Sequence, residues 1–69
     1  MSKIKITLNG EEKFLTKNTS LAQLVAELEL DIKKIAVEKN LQIINYQNFA
    51  NDFLQENDKI EIVHFIGGG

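Results

Sequence analysis

The sequence predicts an α+β domain of two layers: a mixed sheet of four or five strands with one helix packed on one face. Three observations predict it. Ile4, Ile6 and Leu8 alternate with Lys3, Lys5, Thr7 and Asn9, the period of a half-buried strand. Asn9-Gly10 follows at once; both residues tolerate positive φ, so the pair signals a tight hairpin. Leu21, Leu24, Val25 and Leu28 then fall at i, i+3, i+4 and i+7, the apolar stripe of a helix.

The remaining elements follow in order. Glu12 to Thr16 returns from the hairpin as a second, antiparallel strand. Lys17-Asn18-Thr19-Ser20 is a polar break, and Ser20 with Gln23 fits a capping box. The helix is therefore expected from about residue 21 to about residue 29. Ile35 to Glu38 reads as a third strand, Asn40 as a turn residue and Ile43-Ile44 as a short return strand. Residues 45 to 53 are polar around Phe49 and Phe53, so a loop with a helical turn is expected there, with both rings buried. Asn57-Asp58 makes a turn, and Ile60 to Ile66 is the last strand. Leu8, Leu24, Leu28, Ile60 and Ile62 are the expected core. Because the helix supplies a crossover, the first and last strands are expected to pair in parallel at the centre. This order and size suit the β-grasp, or ubiquitin-like, fold.

Composition narrows the function. A chain of 69 residues with 43% hydrophobic content is one globular domain with room for one small core. A cleft with a full catalytic apparatus is hard to fit beside it. The net charge is −2, and every basic residue is a scattered lysine. Without a basic cluster or any Arg, nucleic acid is a poor partner. No apolar run is long enough to span a bilayer and no signal-peptide pattern opens the chain, so a membrane partner is not expected and a cytoplasmic location is. With no cysteine and one histidine, neither thiol chemistry nor a metal centre is expected. His64 reads as a strand-end residue. Glu11-Glu12, Glu56, Asp58 and Glu61 read as solvated carboxylates with no acid/base pairing among them.

The C-terminus is the most informative feature. Of four glycines in the chain, three are Gly67, Gly68 and Gly69. Glycine is costly to order and poor for packing, yet it is slim enough to thread a narrow slot. Beyond Phe65, four residues reach at most ~13–14 Å. The expected organisation is thus a domain over residues 1–66 with a flexible tail at 67–69. The alternative is a frayed terminus without a role. Ile60 and Ile62 share one strand face; Val63 and Phe65 lie on the other, with Glu61. In a two-layer domain that second face is uncovered, which makes Val63, Phe65 and Ile66 a candidate docking patch beside the tail.

Several segments resemble one family. Ile4 to Gly10 with its Leu-Asn-Gly-Glu, Ser20-Leu21-Ala22-Gln23-Leu24-Val25, Ile35-Ala36-Val37-Glu38-Lys39-Asn40, Asn57-Asp58-Lys59-Ile60-Glu61-Ile62-Val63 and Phe65-Ile66-Gly67-Gly68-Gly69 are together similar to the sulfur carrier proteins of thiamine biosynthesis. The resemblance runs over essentially the whole chain. That family commonly has Val-Pro-Arg where this chain has Ile44-Asn45-Tyr46, and Gly where it has Asn57.

The resemblance implies a chemistry. A partner adenylyltransferase of the ubiquitin-activating type would join Gly69 to AMP, with ATP held by the partner and no cofactor on this chain. A cysteine desulfurase or sulfurtransferase would supply sulfur, leaving a thiocarboxylate at Gly69. A thiazole synthase would take that sulfur. Gly67 and Gly68 would thread the partner's channel, and Val63, Phe65 and Ile66 would dock. The chain would be a protein cosubstrate rather than an enzyme, monomeric when free. Three other readings stay open: a small subunit of molybdopterin synthase, a ubiquitin-like modifier of lysines, and a non-reactive β-grasp interaction domain with an accidental tail.

Overall fold

Strand β1 (Lys3–Leu8) forms where apolar and polar residues alternate most cleanly, and the Asn9-Gly10 turn folds it onto β2 (Glu11–Thr16). The computed structural model describes residues 2–65. Asn9 has φ 49° and Gly10 φ 85°, both positive as a type I′ hairpin requires. The register Ile4↔Leu15 sets Ile4, Ile6 and Leu15 on the buried face.

Helix α1 (Leu21–Glu27) starts at the expected capping box. The Ser20 hydroxyl accepts from the Gln23 N–H at 3.1 Å, and the Gln23 side chain accepts from the Ser20 N–H at 2.8 Å. Two otherwise orphaned donors are satisfied at once. The helix stops sooner than its apolar stripe suggests. Glu29 takes φ 59°, its N–H bonds the Ala26 carbonyl at 3.0 Å, and the Leu30 N–H bonds the Val25 carbonyl at 3.2 Å. This is a Schellman ending with Glu in the position usually given to Gly.

A short 3-10 turn over Ile32–Lys34, capped by Asp31, leads into β3 (Ile35–Lys39). The two-residue turn Asn40-Leu41 then returns the chain as β4 (Gln42–Ile44). A second 3-10 segment, Tyr46–Asn51, precedes β5 (Lys59–His64). The five strands form one sheet in the order β2-β1-β5-β3-β4. β1 and β5 are parallel at its centre through Thr7↔Lys59 and Leu8↔Ile60, and the other pairings are antiparallel. The expected β-grasp arrangement is therefore the one observed.

One core lies between α1 and the sheet. It joins Ile4, Ile6, Leu15, Leu21, Leu24, Val25, Ile35, Val37, Phe49, Leu54, Ile60 and Ile62. Leu24, Ile60 and Ile62 are buried as expected, but Leu8 and Leu28 are only partly buried against this core. Each sits at the end of its element, where covering residues run out. The expectation for Phe53 is overturned, since its ring is 48% exposed. The 3-10 segment ends at Asn51 and the chain continues extended through Asp52. Successive side chains in extended backbone point to opposite sides, so Leu54 turns in and Phe53 turns out. The last strand, expected to reach Ile66, ends at His64 among the described residues; Ile66 and the glycine tail lie outside them.

Candidate functional site

The docking patch expected beside the tail depends on how β5 is held. Its first half is fixed on both sides. The Asn40 N–H bonds the Lys59 carbonyl at 2.8 Å, and the Asn40 side-chain oxygen accepts from the Lys59 N–H at 2.9 Å. On the other edge the Asn9 N–H bonds the Ile60 carbonyl at 2.9 Å, and the Asn9 side-chain oxygen accepts from the Ile62 N–H at 2.8 Å. Asn9 therefore shapes the first hairpin and also caps β5 where β1 ends.

Asp58 corrects the reading of a solvated carboxylate, because it is only 7% exposed. One oxygen accepts from the Asn40 side-chain amide at 2.9 Å and the other from the Gln55 N–H at 2.8 Å. Its own carbonyl accepts from the Thr7 N–H at 2.9 Å. Three segments meet on this residue just before β5. Glu56 is exposed but also engaged, accepting from the Lys5 N–H at 2.9 Å.

Past Ile62 only β3 accompanies the strand. Ala36 lies opposite Val63 and Ile35 opposite His64, and the Phe65 N–H bonds the Lys34 carbonyl at 2.9 Å. Ile60 and Ile62 turn to the helix, while Val63 and Phe65 are 60% and 59% exposed on the open face. The parity expected from sequence therefore holds, and these two residues end the described chain four positions before Gly69. His64 is exposed at the strand end.

The open face is divided. Its β1 and β2 side carries charge, with Lys5 3.6 Å from Glu12. On its β3 and β4 side Ala36 and the exposed Ile43 continue the surface of Val63 and Phe65, with the carboxylates of Glu38 and Glu61 beside them on the same face. Ile43 escaped the sequence reading as a surface residue. A signal was present: adjacent residues of a strand face opposite sides, so Ile43 and Ile44 cannot both be buried in a two-layer domain.

Beside this surface lies a cavity of about 460 Å³. The register of β3 with β4 stops at Val37↔Ile44, and the chain then turns away into the second 3-10 segment. Ile35 and Ala36 have no strand opposite them there. The gap is walled by Ile32 and Lys33, by Ile43 to Tyr46, by Phe49 and by Phe65. The segment Ile44-Asn45-Tyr46, where the chain departs from the pattern Val-Pro-Arg, forms one wall. Asn45 earns its place by capping the 3-10 segment, its side chain accepting from the Gln47 N–H at 2.8 Å.

Among the described residues no group of His, Asp or Glu is placed to hold a metal ion, and no helix is long and apolar enough to cross a membrane. Gly67, Gly68 and Gly69, on which the expected chemistry rests, lie outside the described residues, as does Ile66.

Comparison with known proteins addresses the chain as a whole. The fold matches the crystal structure of a thiamine biosynthesis protein (ThiS) from Geobacter metallireducens, with a TM-score of 0.83 and 22% identity, covering 96% of this chain and 100% of that one. A protein named thiazole synthase in Paramagnetospirillum magneticum is 41% identical over 66 residues; these are 96% of this chain but 20% of that protein, so the chain spans about a fifth of its length. The sulfur carrier protein ThiS of Bacillus subtilis is 40% identical over 65 residues, covering 93% of this chain and 98% of the relative. The ThiS family model matches residues 6–69, from the first strand through the last glycine. With that match over residues 6–69, and a relative of the same name covered almost end to end, the chain belongs to the ThiS family.

Proposed function

We propose that this chain is a sulfur carrier for thiamine biosynthesis, with sulfur held as a thiocarboxylate on Gly69. The observation that carries the reading is the family match, which runs through residue 69 and so takes in the glycine tail. It favours the thiamine pathway over molybdopterin synthesis and over an accidental tail. The chain acts as a protein cosubstrate.

The chemistry follows from what the terminus can do. A carboxylate at neutral pH is a poor electrophile. The Gly69 carboxylate attacks the α-phosphorus of ATP bound by an adenylyltransferase of the ubiquitin-activating type, and pyrophosphate leaves. The outer sulfur of a persulfide on a cysteine desulfurase or sulfurtransferase attacks the acyl carbon, and AMP leaves. A thiol then reduces the resulting acyl disulfide, freeing the thiocarboxylate and forming a disulfide with the donor cysteine. With no cysteine in the chain, the terminus is where sulfur rides. Gly67 and Gly68 pass through the enzyme's channel, and Val63, Phe65 and Ile66 meet its surface. A thiazole synthase is the acceptor. Its support is the relative of that name, in which a segment like this chain belongs to the same polypeptide.

Intact mass tests the reading. The chain is incubated with the activating enzyme, ATP and a sulfur source. The expected product is heavier by the difference between one sulfur and one oxygen atom, with the change mapped to Gly69. An unchanged mass, with the enzyme active on another carrier, would remove the proposal.

A further inference from the structure

We propose that the cavity between the end of β4 and Phe65 is an anchor site for the activating enzyme: it receives an apolar side chain of that enzyme, and Lys33 on its rim meets an acidic residue beside that side chain. The inference rests on the carrier reading above and adds, beside the patch of Val63 and Phe65, a second contact to the same encounter.

Position argues for this occupant. The tail beyond Phe65 spans at most ~13–14 Å. An enzyme holding Gly69 in its active site therefore stands over Phe65, and Phe65 is one wall of the cavity. The lining argues for an apolar guest: Ile32, Ala36, Ile43 and Phe65 offer carbon, with Tyr46 at the mouth. Exposed apolar surface of this kind, rimmed by polar groups, is what an interface core is built from.

Charge argues for the acidic neighbour. The chain carries a net charge of −2, yet Lys33 and Lys34 stand side by side and exposed here. Lys5, Lys13, Lys39 and Lys59 each pair with a carboxylate; Lys3, Lys17, Lys33 and Lys34 have no ion pair among the described residues, and of these four Lys33 lines the cavity. The nearby Asp31 carboxylate is turned to the Lys33 backbone N–H, at 2.9 Å. A complementary charge on the partner steers the encounter and fixes its register.

The test is steady-state adenylation against carrier concentration, for the wild type, Ile43→Ser, Lys33→Glu and Phe14→Ser. Ile43 and Phe14 are both exposed, and amide spectra check that each variant folds. Phe14 lies on β2, across the charged part of the open face. The expected result is a KM raised about tenfold by Ile43→Ser and by Lys33→Glu, with kcat retained and Phe14→Ser unchanged. The Lys33→Glu effect should shrink as salt rises. Unchanged KM in both cavity variants, with an active wild type, would overturn the inference and leave the carrier reading standing. So would a free wild type that sediments as a dimer and is dissociated by the cavity variants, since the guest would then be a second copy. A wild type that is never adenylated would overturn the carrier reading and this inference together.

Discussion

The two halves of β5 have the same kind of sequence and opposite duties. Ile60 and Ile62 are buried, and the backbone around them is held by Asn9, Asn40 and Asp58. Val63, one residue later, and Phe65, just past the end of the strand, are exposed and accompanied by β3 and the residue before it. Polar contacts stop where apolar side chains begin to face solvent. A small domain with a thin stability margin thus fixes its last strand from one end and leaves the other end exposed, where we propose that a partner docks. On that proposal stability and docking are separated along a single strand, so substitutions should sort by position: those before Ile62 act on the fold, and those after it act on the encounter.

The largest effect is expected beyond the strand. Removing Gly69 moves the carboxylate back by about one residue length, ~3.5 Å, and misplacement by ~1 Å can cost about a hundredfold in rate. The truncated chain should unfold at the wild-type midpoint and fail to accept AMP. Normal adenylation by the shortened chain would show that the tail is a passive end, and the separation proposed for β5 would lose its purpose.

Next in size is the anchored half. Asp58→Ala removes the acceptor of the Gln55 N–H and the Asn40 amide, and hydrogen bonds to a charged group are worth about 1.5–3 kcal/mol. Chemical denaturation should report a loss in that range, while adenylation of the folded fraction stays at wild-type rate. A defect in KM with unaltered stability would mean the two halves are not separate.

Phe65→Ala probes the open half. The ring is 59% exposed, so its removal leaves no core cavity and the unfolding midpoint should stay. Apparent KM for adenylation should rise about tenfold, the range of an interface anchor. Equal activity at low carrier concentration would take Phe65 out of the docking surface.

Much of this was legible in the sequence because the signals were local. Alternation at residues 4–8, the stripe from Leu21 to Leu28, the Ser20-Gln23 box and the Asn9-Gly10 turn each lie within a few residues, and each formed. The exposure of Val63 and Phe65 followed from strand parity alone. What was hidden depends on distant partners. The burial of Asp58 is set by Asn40, 18 residues earlier. The stop of β4 at Ile44 was legible, but not that it leaves Ile35 and Ala36 without a strand opposite them on that side, which opens the cavity. Phe49 and Phe53 look alike at helical spacing, but a 3-10 segment followed by extended chain turns only Phe49 inward.

The smallest expected effect concerns the turn that holds Lys59. The Asn9-Gly10 and Asn40-Leu41 hairpins share a geometry, both central residues having positive φ, with Leu41 at φ 71°. Gly10 meets that demand without strain, whereas a residue with a Cβ costs about 1–2 kcal/mol there. Leu41 carries the strain with its side chain exposed, so no packing offsets it. The turn persists because Asn40 is tied to Lys59 and Asp58. Leu41→Gly relieves the strain but adds the entropy of a glycine in the unfolded chain, about 0.5–1 kcal/mol. The net should be a stabilisation of roughly 0.5 kcal/mol, read as a higher denaturant midpoint with an unchanged slope. Adenylation should keep its KM, since Asn40 pairs with Lys59 at the opposite end of β5 from Phe65. A lower midpoint would mean that the Leu41 side chain makes a contact worth more than its strain. A changed KM would carry the docking surface to the anchored end and erase the division along the strand.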